Sequence, residues 1–189
     1  MRLFAALDLT DDARGAIAAE QKRIAGALGG NDQSALRFVR PEHIHLTLVF
    51  VGEVAEPRGV SIVEAMRADI AQRPFRLVFG GLGAFPPYGA PRVLWLGVSD
   101  GAEHAVELQQ RVARRLEGVG LGPEGRLFRP HLTLARWRER RPADRRVTVP
   151  ANSAKVATVD VEAVTLFQSR LSSSGPAYTA LAHARLTCP

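Results

Sequence analysis

One tetrapeptide occurs twice in this chain, and it constrains the fold more than any other feature. The sequence His-Leu-Thr-Leu stands at residues 45–48 and again at 131–134, and each copy closely follows a proline. In a β-strand, residues two apart share a face, so each copy presents its histidine and threonine on one side and its leucines on the other. The repeat therefore predicts two similar strands, each with leucines in the core and a polar face turned outward across a shared groove.

Around these strands, the apolar pattern alternates between strand and helix. Thr10 and the two aspartates behind it predict the start of a helix that runs to about Leu28. A second helix is expected to start near Pro57 and to end at Pro74, and a third precedes the second motif. The stripes that support these two helices are Val60, Val63, Met66 and Ile70, then Ala105, Leu108, Val112 and Leu116. Strands are predicted at 2–9, 36–39, 44–51, 75–79, 93–98, 131–137, 157–167 and 178–186.

Strands and helices mixed in this order predict the α+β class with a mixed sheet. The length and the lack of a Pro/Ser-rich linker predict a single domain over residues 1–189. No apolar run is long enough for a membrane span, and the N-terminal one is shorter than the core of a secretory signal. The one cysteine, Cys188, offers no internal disulfide and no cysteine-based metal site. We therefore expect a cytoplasmic protein.

The positive charge of the chain is carried almost entirely by arginine. The sequence has 25 Lys+Arg against 19 Asp+Glu, and Lys22 and Lys155 are its only lysines. A guanidinium group binds phosphate through two parallel hydrogen bonds, so the bias is consistent with a phosphate-bearing partner. A GC-rich genome accounts for the same bias, and both explanations stay open.

The paired motifs resemble those of the two-histidine phosphoesterase superfamily. Their flanks resemble its RNA 2',3'-cyclic phosphodiesterase branch, also called the 2'-5' RNA ligase family. The similar stretches span most of the chain: residues 2–8, 44–53, 91–96, 128–136 and 169–171, with Tyr178. The resemblance implies two pseudo-symmetric lobes, with mixed and mainly antiparallel sheets that line a central groove and with helices on the outside.

Two imidazoles suit the opening of a 2',3'-cyclic phosphate. Water attacks phosphorus while a ribose oxygen leaves, so one group must accept a proton and another must donate one, and an imidazole pKa near 6.5 allows both states. The hydroxyls of Thr47 and Thr133 can donate hydrogen bonds to the phosphate oxygens. The resemblance implies that His45 is the proton donor, that His131 is the acceptor, and that the product is a 2'-phosphate. The same site run backwards would form a 2'-5' linkage without ATP.

Several further residues are candidates for substrate binding. Arg136 follows His131 by five residues, so an uninterrupted strand would turn it to the opposite face, and a bulge would be needed to bring it back. Arg129 and Arg40 precede the motifs at the rim. Phe85 and Tyr88 are expected in a central loop, where they either stack on a base or cover the core. The arginine-rich segment 136–146 is either a solvated loop or a track for RNA phosphates. His43 is expected to be a turn or rim residue, and His104 and His183 are expected to be structural.

The expected partner is an RNA, tRNA-like or other, that ends in a 2',3'-cyclic phosphate. We expect no membrane partner, no metal and no cofactor, and we expect the protein to be a monomer. One alternative is a cyclic phosphodiesterase for small nucleotides of the ADP-ribose 1'',2''-cyclic phosphate type. Another is a nucleotide- or RNA-binding module without turnover. A metal site is disfavoured, because His45 and His131 stand beside threonines and not in a recognisable set of metal ligands.

Overall fold

A computed structural model of the chain describes residues 1–28, 36–88, 90–122, 125, 127–138, 155–172 and 175–189. In chain order its elements are β1 (Arg2–Leu7), α1 (Asp11–Ala27), β2 (Leu36–Phe38), a 3-10 turn (Pro41–His43), β3 (Leu46–Glu53), α2 (Glu56–Ala65), β4 (Ile70–Ala71), β5 (Phe75–Phe85), β6 (Val93–Asp100), α3 (Ala102–Glu117), β7 (His131–Trp137), β8 (Ala157–Val161), β9 (Ala163–Ser172) and β10 (Gly175–Thr187).

The described strands form two five-stranded sheets. The first has the order β3-β1-β9-β10-β4 and the second β2-β7-β6-β5-β8. Within the described ranges every pairing is antiparallel except that of β10 with β4. The two copies of the motif therefore lie in different sheets, at β3 and at β7. The predicted α+β fold with two mainly antiparallel sheets is confirmed.

The helices tie the two sheets together. Helix α1 follows a strand of the first sheet but packs on β8 of the second, whereas α3 follows β6 of the second sheet and packs on β3 of the first. One cluster of buried apolar residues includes members of both sheets and of the helices. Strands β3 and β7 also approach each other, with Cα atoms within 8 Å. This exchange of helices holds the two motif-bearing strands side by side, while the single domain over residues 1–189 stays a prediction.

Local sequence accounts for where α1 and α3 begin and which face they bury. The hydroxyl of Thr10 accepts a hydrogen bond from the backbone N–H of Ala13, and acidic residues fill the first turn of α1. The predicted apolar stripe of α3 is fully buried. Gly101 precedes α3 with a φ of 80°, and a Cβ there would overlap the carbonyl oxygen of Arg76, so this entry requires glycine.

Helix α2 differs from its prediction. It ends at Ala65, well before Pro74, and the chain then forms the short strand β4. Val60, predicted to face the core, is 61% exposed, whereas Ile62 and Met66 are buried. The predicted stripe was therefore wrong at two of its four residues. Val60 is exposed, and Ile70 belongs to a strand that pairs with β10.

Strand boundaries also differ, most notably in β5, in the predicted strand 157–167 and in β3. Strand β5 continues to Phe85, so this residue lies in the sheet and not in the predicted loop. The predicted strand 157–167 is two strands that separate at Glu162, whose carbonyl accepts a hydrogen bond from the N–H of Leu186. Strand β3 begins at Leu46, so His45 stands just before it, after the 3-10 turn. Across the described part of the chain, the helices are too short or too polar to cross a bilayer.

Candidate active site

His45 is held at the entrance of β3 by its backbone and by aromatic rings. Its Nδ1 lies 2.8 Å from the carbonyl oxygen of His43. The imidazole stacks on Phe4, with ring centres 4.7 Å apart, and meets the edge of Tyr178 at 5.3 Å. Phe167 stands behind, with its centre 6.4 Å away. These contacts leave the ring of His45 half-buried, and not solvent-facing as a strand surface alone would suggest.

His131 opens β7 in a similar arrangement. Its Nδ1 lies 2.7 Å from the carbonyl oxygen of Arg129, again two residues back in the chain. Phe85 meets the ring edge-on at 5.1 Å, and Trp95 lies 6.3 Å away. The indole of Trp95 covers Gly83 so closely that a Cβ at that position would overlap the ring. Gly83 in β5 therefore leaves room for the indole of Trp95 beside His131.

The two backbone contacts determine which ring nitrogens are available for chemistry. A carbonyl oxygen only accepts, so Nδ1–H is the donor in both histidines. The neutral ring then has its lone pair at Nε2, where it can accept a proton, and the protonated ring donates from the same atom. Each half of the site thus offers one Nε2 for proton transfer.

Burial lowers the pKa of both histidines. Desolvation lowers the pKa of His45 to about 4, against smaller opposing effects of the His43 carbonyl and of Asp8. The pKa of His131 is also lowered, first by burial and then by the charge of Arg136, while the Arg129 carbonyl acts in the opposite direction. Burial thus favours the neutral form of both imidazoles in the protein alone, whereas the sequence suggested rings of ordinary pKa.

Each motif strand contains a β-bulge at the leucine that ends the tetrapeptide. In the first sheet Ala6 lies opposite Thr47 and Ala5 opposite Val49, so Leu48 is the extra residue. In the second sheet Trp95 lies opposite Thr133 and Leu94 opposite Ala135, which makes Leu134 the extra residue. A bulge shifts the alternation of side chains by one position. The residue three places after each threonine is therefore returned to the face of the histidine.

The bulges turn Arg136 and Phe50 to the faces that carry the histidines. Leu134 and Ala135 are both buried, and the exposed Arg136 follows on the same face as His131 and Thr133. Simple alternation, which places Arg136 on the opposite face, is wrong here because of the bulge. Phe50 occupies the same place in the first copy, is 65% exposed, and lies 6.5 Å from Phe4.

A buried glutamine holds the second bulge. The carbonyl of Leu134 accepts hydrogen bonds from the N–H of Val39 at 2.9 Å and from Nε2 of Gln21 at 2.9 Å. The same Nε2 donates to the carbonyl of Val39 at 2.8 Å. Gln21 comes from α1 and is only 7% exposed. It thus connects the bulge that directs Arg136 to the segment that leads towards His45.

Arg136 acts on groups of both sheets. Its charge lowers the pKa of His131 in its own sheet and opposes the burial that raises the pKa of Tyr178 in the other sheet. Tyr178 is the ring that meets the edge of His45. The charge of Arg136 therefore influences His131 itself and a ring beside His45, and the strands that carry the two motifs approach each other.

The other predicted residues are distributed as follows. Thr47 and Thr133 lie on the faces of their histidines and are half-buried. Arg129 contributes its carbonyl to His131, while its side chain and that of Arg40 are exposed. Tyr88 is 89% exposed. Residues 139–146 of the arginine-rich segment lie outside the described residues.

The remaining histidines occupy other places. His43 lies in the 3-10 turn with its ring 5.2 Å from Tyr178. His104 packs beside Phe75, and His183 shares a hydrogen bond of 3.0 Å with Thr165. In the ranges that the structure describes, no three His, Cys, Asp or Glu side chains gather in a group able to hold a metal ion.

Sequence reasoning missed the positions of Phe50 and Gln21 and gave Tyr178 no role. A signal for the bulges was present in the sequence, because Leu48-Val49 and Leu134-Ala135 are adjacent apolar residues that interrupt strict alternation. Gln21 had no such signal, since its partners are backbone carbonyls distant in sequence.

The chain matches the family model described as the 2'-5' RNA ligase superfamily over residues 11–172. Among curated proteins, the RNA 2',3'-cyclic phosphodiesterase of Aeropyrum pernix is 39% identical over 148 residues, covering 77% of this chain and 84% of the relative. The protein of the same name from Archaeoglobus fulgidus is 33% identical over 178 residues, covering 94% of this chain and 96% of the relative.

Solved structures agree with this likeness. The protein TT0787 of Thermus thermophilus superposes with a TM-score of 0.78 at 29% identity, covering 100% of this chain and 99% of the other. E. coli LigT complexed with 3'-AMP superposes with a TM-score of 0.78 at 27% identity, covering 98% of each chain.

Proposed function

The chain belongs to the 2'-5' RNA ligase superfamily, and we propose that it is an RNA 2',3'-cyclic phosphodiesterase that produces 2'-phosphate ends. The names of the relatives from Aeropyrum and Archaeoglobus support the reaction class. The observation that carries the proposal is the paired arrangement of His45 and His131. Each ring has Nδ1 engaged by a backbone carbonyl, and the two strands that carry the rings approach each other, with Cα atoms within 8 Å.

In the proposed reaction, Nε2 of His131 takes a proton from water as the water oxygen attacks phosphorus. The bond between phosphorus and the ribose O3' breaks, and Nε2–H of His45 gives its proton to O3'. The product carries a 2'-phosphate and a free 3'-hydroxyl, so one water molecule has been added. His131 ends protonated and His45 neutral, and exchange with solvent restores both rings.

The substrate itself provides the charge that this scheme needs. At neutral pH, burial leaves His45 neutral in the protein alone, which is the wrong state for a proton donor. The cyclic phosphate carries one negative charge, and an anion beside an imidazole favours its protonated form. We propose that substrate binding raises the pKa of His45, and that the acid is therefore formed mainly in the complex.

Thr47, Thr133 and Arg136 are proposed to bind the phosphate oxygens. The hydroxyls lie on the same faces as the histidines, and Arg136 has no carboxylate partner among the described residues. Negative charge grows on the non-bridging oxygens as water attacks, and a guanidinium placed there stabilises that charge. Phe50, exposed on the other strand, offers an aromatic face to the terminal base.

Hydrolysis without a metal ion, a monomeric state and a cytoplasmic location remain predictions. The ATP-independent 2'-5' ligation proposed for the same site requires an RNA 5'-hydroxyl to replace water as the nucleophile. Ligation and hydrolysis would share His45 and His131, because both reactions exchange one oxygen on the same phosphorus atom.

The test is incubation of the protein with an oligonucleotide that ends in a 2',3'-cyclic phosphate, with and without EDTA. We expect a 2'-phosphomonoester, identified by its difference from a synthetic 3'-phosphate standard, at the same rate in EDTA. A 3'-phosphate product would contradict the assigned leaving group. Binding without any phosphomonoester would instead favour a non-catalytic RNA-binding module.

A further inference from the structure

A second arginine stands directly beside Arg136. In the pairing of β2 with β7, Arg37 lies opposite Arg136, between the pairs Leu36–Trp137 and Phe38–Ala135. Leu36, Trp137 and Ala135 are buried, whereas both arginines are exposed. The two guanidinium groups therefore share the face of the second sheet that carries His131 and Thr133.

This arrangement is unfavourable for the protein alone. Side chains directly opposite on antiparallel strands have Cβ atoms roughly 4.5–5.5 Å apart, and like charges at that distance destabilise a sheet. Among the described residues neither Arg37 nor Arg136 forms an ion pair with a carboxylate. By contrast, the exposed Arg76 on β5 pairs with Asp160 on β8. An anionic ligand would relieve the repulsion between the paired guanidiniums.

The position of Arg37 relative to the reacting phosphate indicates which anionic group it would bind. Arg136 lies on the face of β7 that also carries His131 and Thr133, whereas Arg37 is one strand further out, at the edge strand β2 of the sheet. The chain from β2 continues through Val39 into the 3-10 turn and reaches His45. Arg37 is thus next to the site but displaced from the reacting atom by one strand.

We propose that Arg37 binds the phosphodiester on the 5' side of the terminal nucleotide, and so makes the site prefer an RNA strand to a cyclic mononucleotide. The proposal rests on the function proposed above. Arg136 contacts the reacting phosphate, and Arg37 contacts the next phosphate along the backbone. A mononucleotide has only the first of these groups and leaves Arg37 without a ligand.

The experiment compares two substrates with the same reacting end, adenosine 2',3'-cyclic phosphate and an oligoadenylate that ends in it. For Arg37→Gln we expect the ratio of kcat/KM, oligonucleotide over mononucleotide, to fall about ten-fold, the effect of losing one charge-assisted hydrogen bond. The slope of log kcat/KM against log[NaCl] for the oligonucleotide should become shallower by about 1. Arg37→Lys should keep most of that slope, because it retains the charge.

The matched control is Arg67→Gln, which removes the same charge where Arg67 pairs with Glu64 at the end of α2. It should leave the substrate ratio unchanged. Arg37→Gln should unfold at the same temperature as the wild type or at a higher one, since it removes like-charge repulsion. An unchanged ratio, an equal loss on both substrates, or a lower unfolding temperature in Arg37→Gln would each overturn the proposal.

Failure of the proposed function would look different. In that case the wild-type protein would release no phosphomonoester from either substrate. Fluorescence anisotropy of a labelled oligoadenylate with a 2'-phosphate end would still test Arg37, because it needs no turnover. Weaker binding and a shallower salt slope in Arg37→Gln would support the phosphate site, and identical binding isotherms would refute it.

Discussion

His45 and His131 are held by the same backbone device but stand in different surroundings. Each donates Nδ1–H to the carbonyl two residues back, and each strand carries a bulge three residues after the histidine. His45 lies among Phe4, Phe167 and Tyr178, whereas His131 contacts Phe85 and Trp95. Beyond the bulge, the first strand presents an aromatic ring and the second a guanidinium.

The repeated tetrapeptide therefore determines how each histidine is held, and the residues around each copy determine its chemical environment. Identical tetrapeptides place both Nε2 atoms alike, but only the second strand brings a positive charge with it. In the proposed site, Arg136 therefore forms the phosphate-binding side and Phe50 the aromatic side. The variants below test this polarity.

The largest expected effect is the loss of either imidazole. His45→Ala and His131→Ala should each lower kcat by about a thousand-fold, because proton transfer by a positioned side chain contributes about 10²–10⁴-fold. His104→Ala is the control, since His104 is exposed and pairs with Glu103 on α3. Single-turnover rates on a cyclic-phosphate RNA measure the effect. Near wild-type turnover in either variant would remove that histidine from the mechanism.

Arg136 comes next. Arg136→Ala should lower kcat/KM about a hundred-fold, since losing a donor to developing negative charge costs about 10²–10³ in rate. Arg136→Lys should recover only part of the loss, because an ammonium cannot form the two-pronged contact. If Arg136→Ala lowered kcat/KM no more than Phe50→Ala does, the proposed difference between the two sides of the site would be contradicted.

The asymmetry in burial predicts a pH dependence of stability. The folded pKa of His45 is about 4, below its unfolded value of 6.5, so the unfolded chain binds the proton first as the pH falls. Stability from this group is complete above about pH 6.5 and is lost as the pH drops towards 4. Allowing for residual solvent contact, the loss is about 2 kcal/mol.

Urea unfolding at pH 7.5 and pH 4.5 measures this effect. In His45→Phe the pH-dependent loss should shrink, because the group that must stay neutral is gone. An undiminished pH dependence in that variant would assign the effect to other groups, of which the buried His131 is the nearest in kind.

Gln21→Met removes the donor that holds the second bulge while preserving size. We expect about a ten-fold loss of kcat, since the two carbonyls at Leu134 and Val39 lose a charge-neutral hydrogen bond each and Arg136 loses its fixed orientation. The free energy of unfolding should fall by about 1–2 kcal/mol. Because Leu134 keeps its bond to the N–H of Val39, the fold should persist.

Two results distinguish positioning from a general structural role of Gln21. The kcat loss should vanish in the background of Arg136→Ala, whereas the stability loss should remain. Equal kcat losses in both backgrounds would show that Gln21 does not act through Arg136.

The smallest expected effect on catalysis is that of Phe50→Ala. It should raise KM by about ten-fold with little change in kcat, because stacking of a base on an aromatic ring is worth roughly 1–3 kcal/mol. Phe50→Tyr keeps an aromatic face and should retain most of the affinity. A large fall in kcat with an unchanged KM would move Phe50 from the base to the reacting end.

Sequence alone predicted the two motif strands, the cap and length of α1, and the apolar stripe of α3. These follow from local periodicity and capping, which need no knowledge of distant contacts. The sequence also predicted that the histidine and threonine of each motif share one face, because side chains alternate along a strand. Arg136 was a candidate whose orientation depended on a bulge, and register shifts of that kind arise from pairing with a partner strand.

The rest depended on tertiary contacts. Gln21 binds carbonyls of distant segments, Tyr178 reaches His45 from another strand, and Arg37 meets Arg136 only through pairing of β2 with β7. The lowered pKa of His45 likewise comes from burial by neighbouring rings. None of these relations leaves a pattern in the linear sequence near the residues concerned.

A double-mutant cycle on His45 and His131 tests most directly whether both imidazoles act on one phosphoryl group. Groups that act as a unit give strongly non-additive losses, so His45→Ala/His131→Ala should hydrolyse the cyclic-phosphate RNA about as slowly as the worse single variant. If the two losses instead multiply in the double variant, the histidines contribute independently, and a single site shared by both halves would be contradicted.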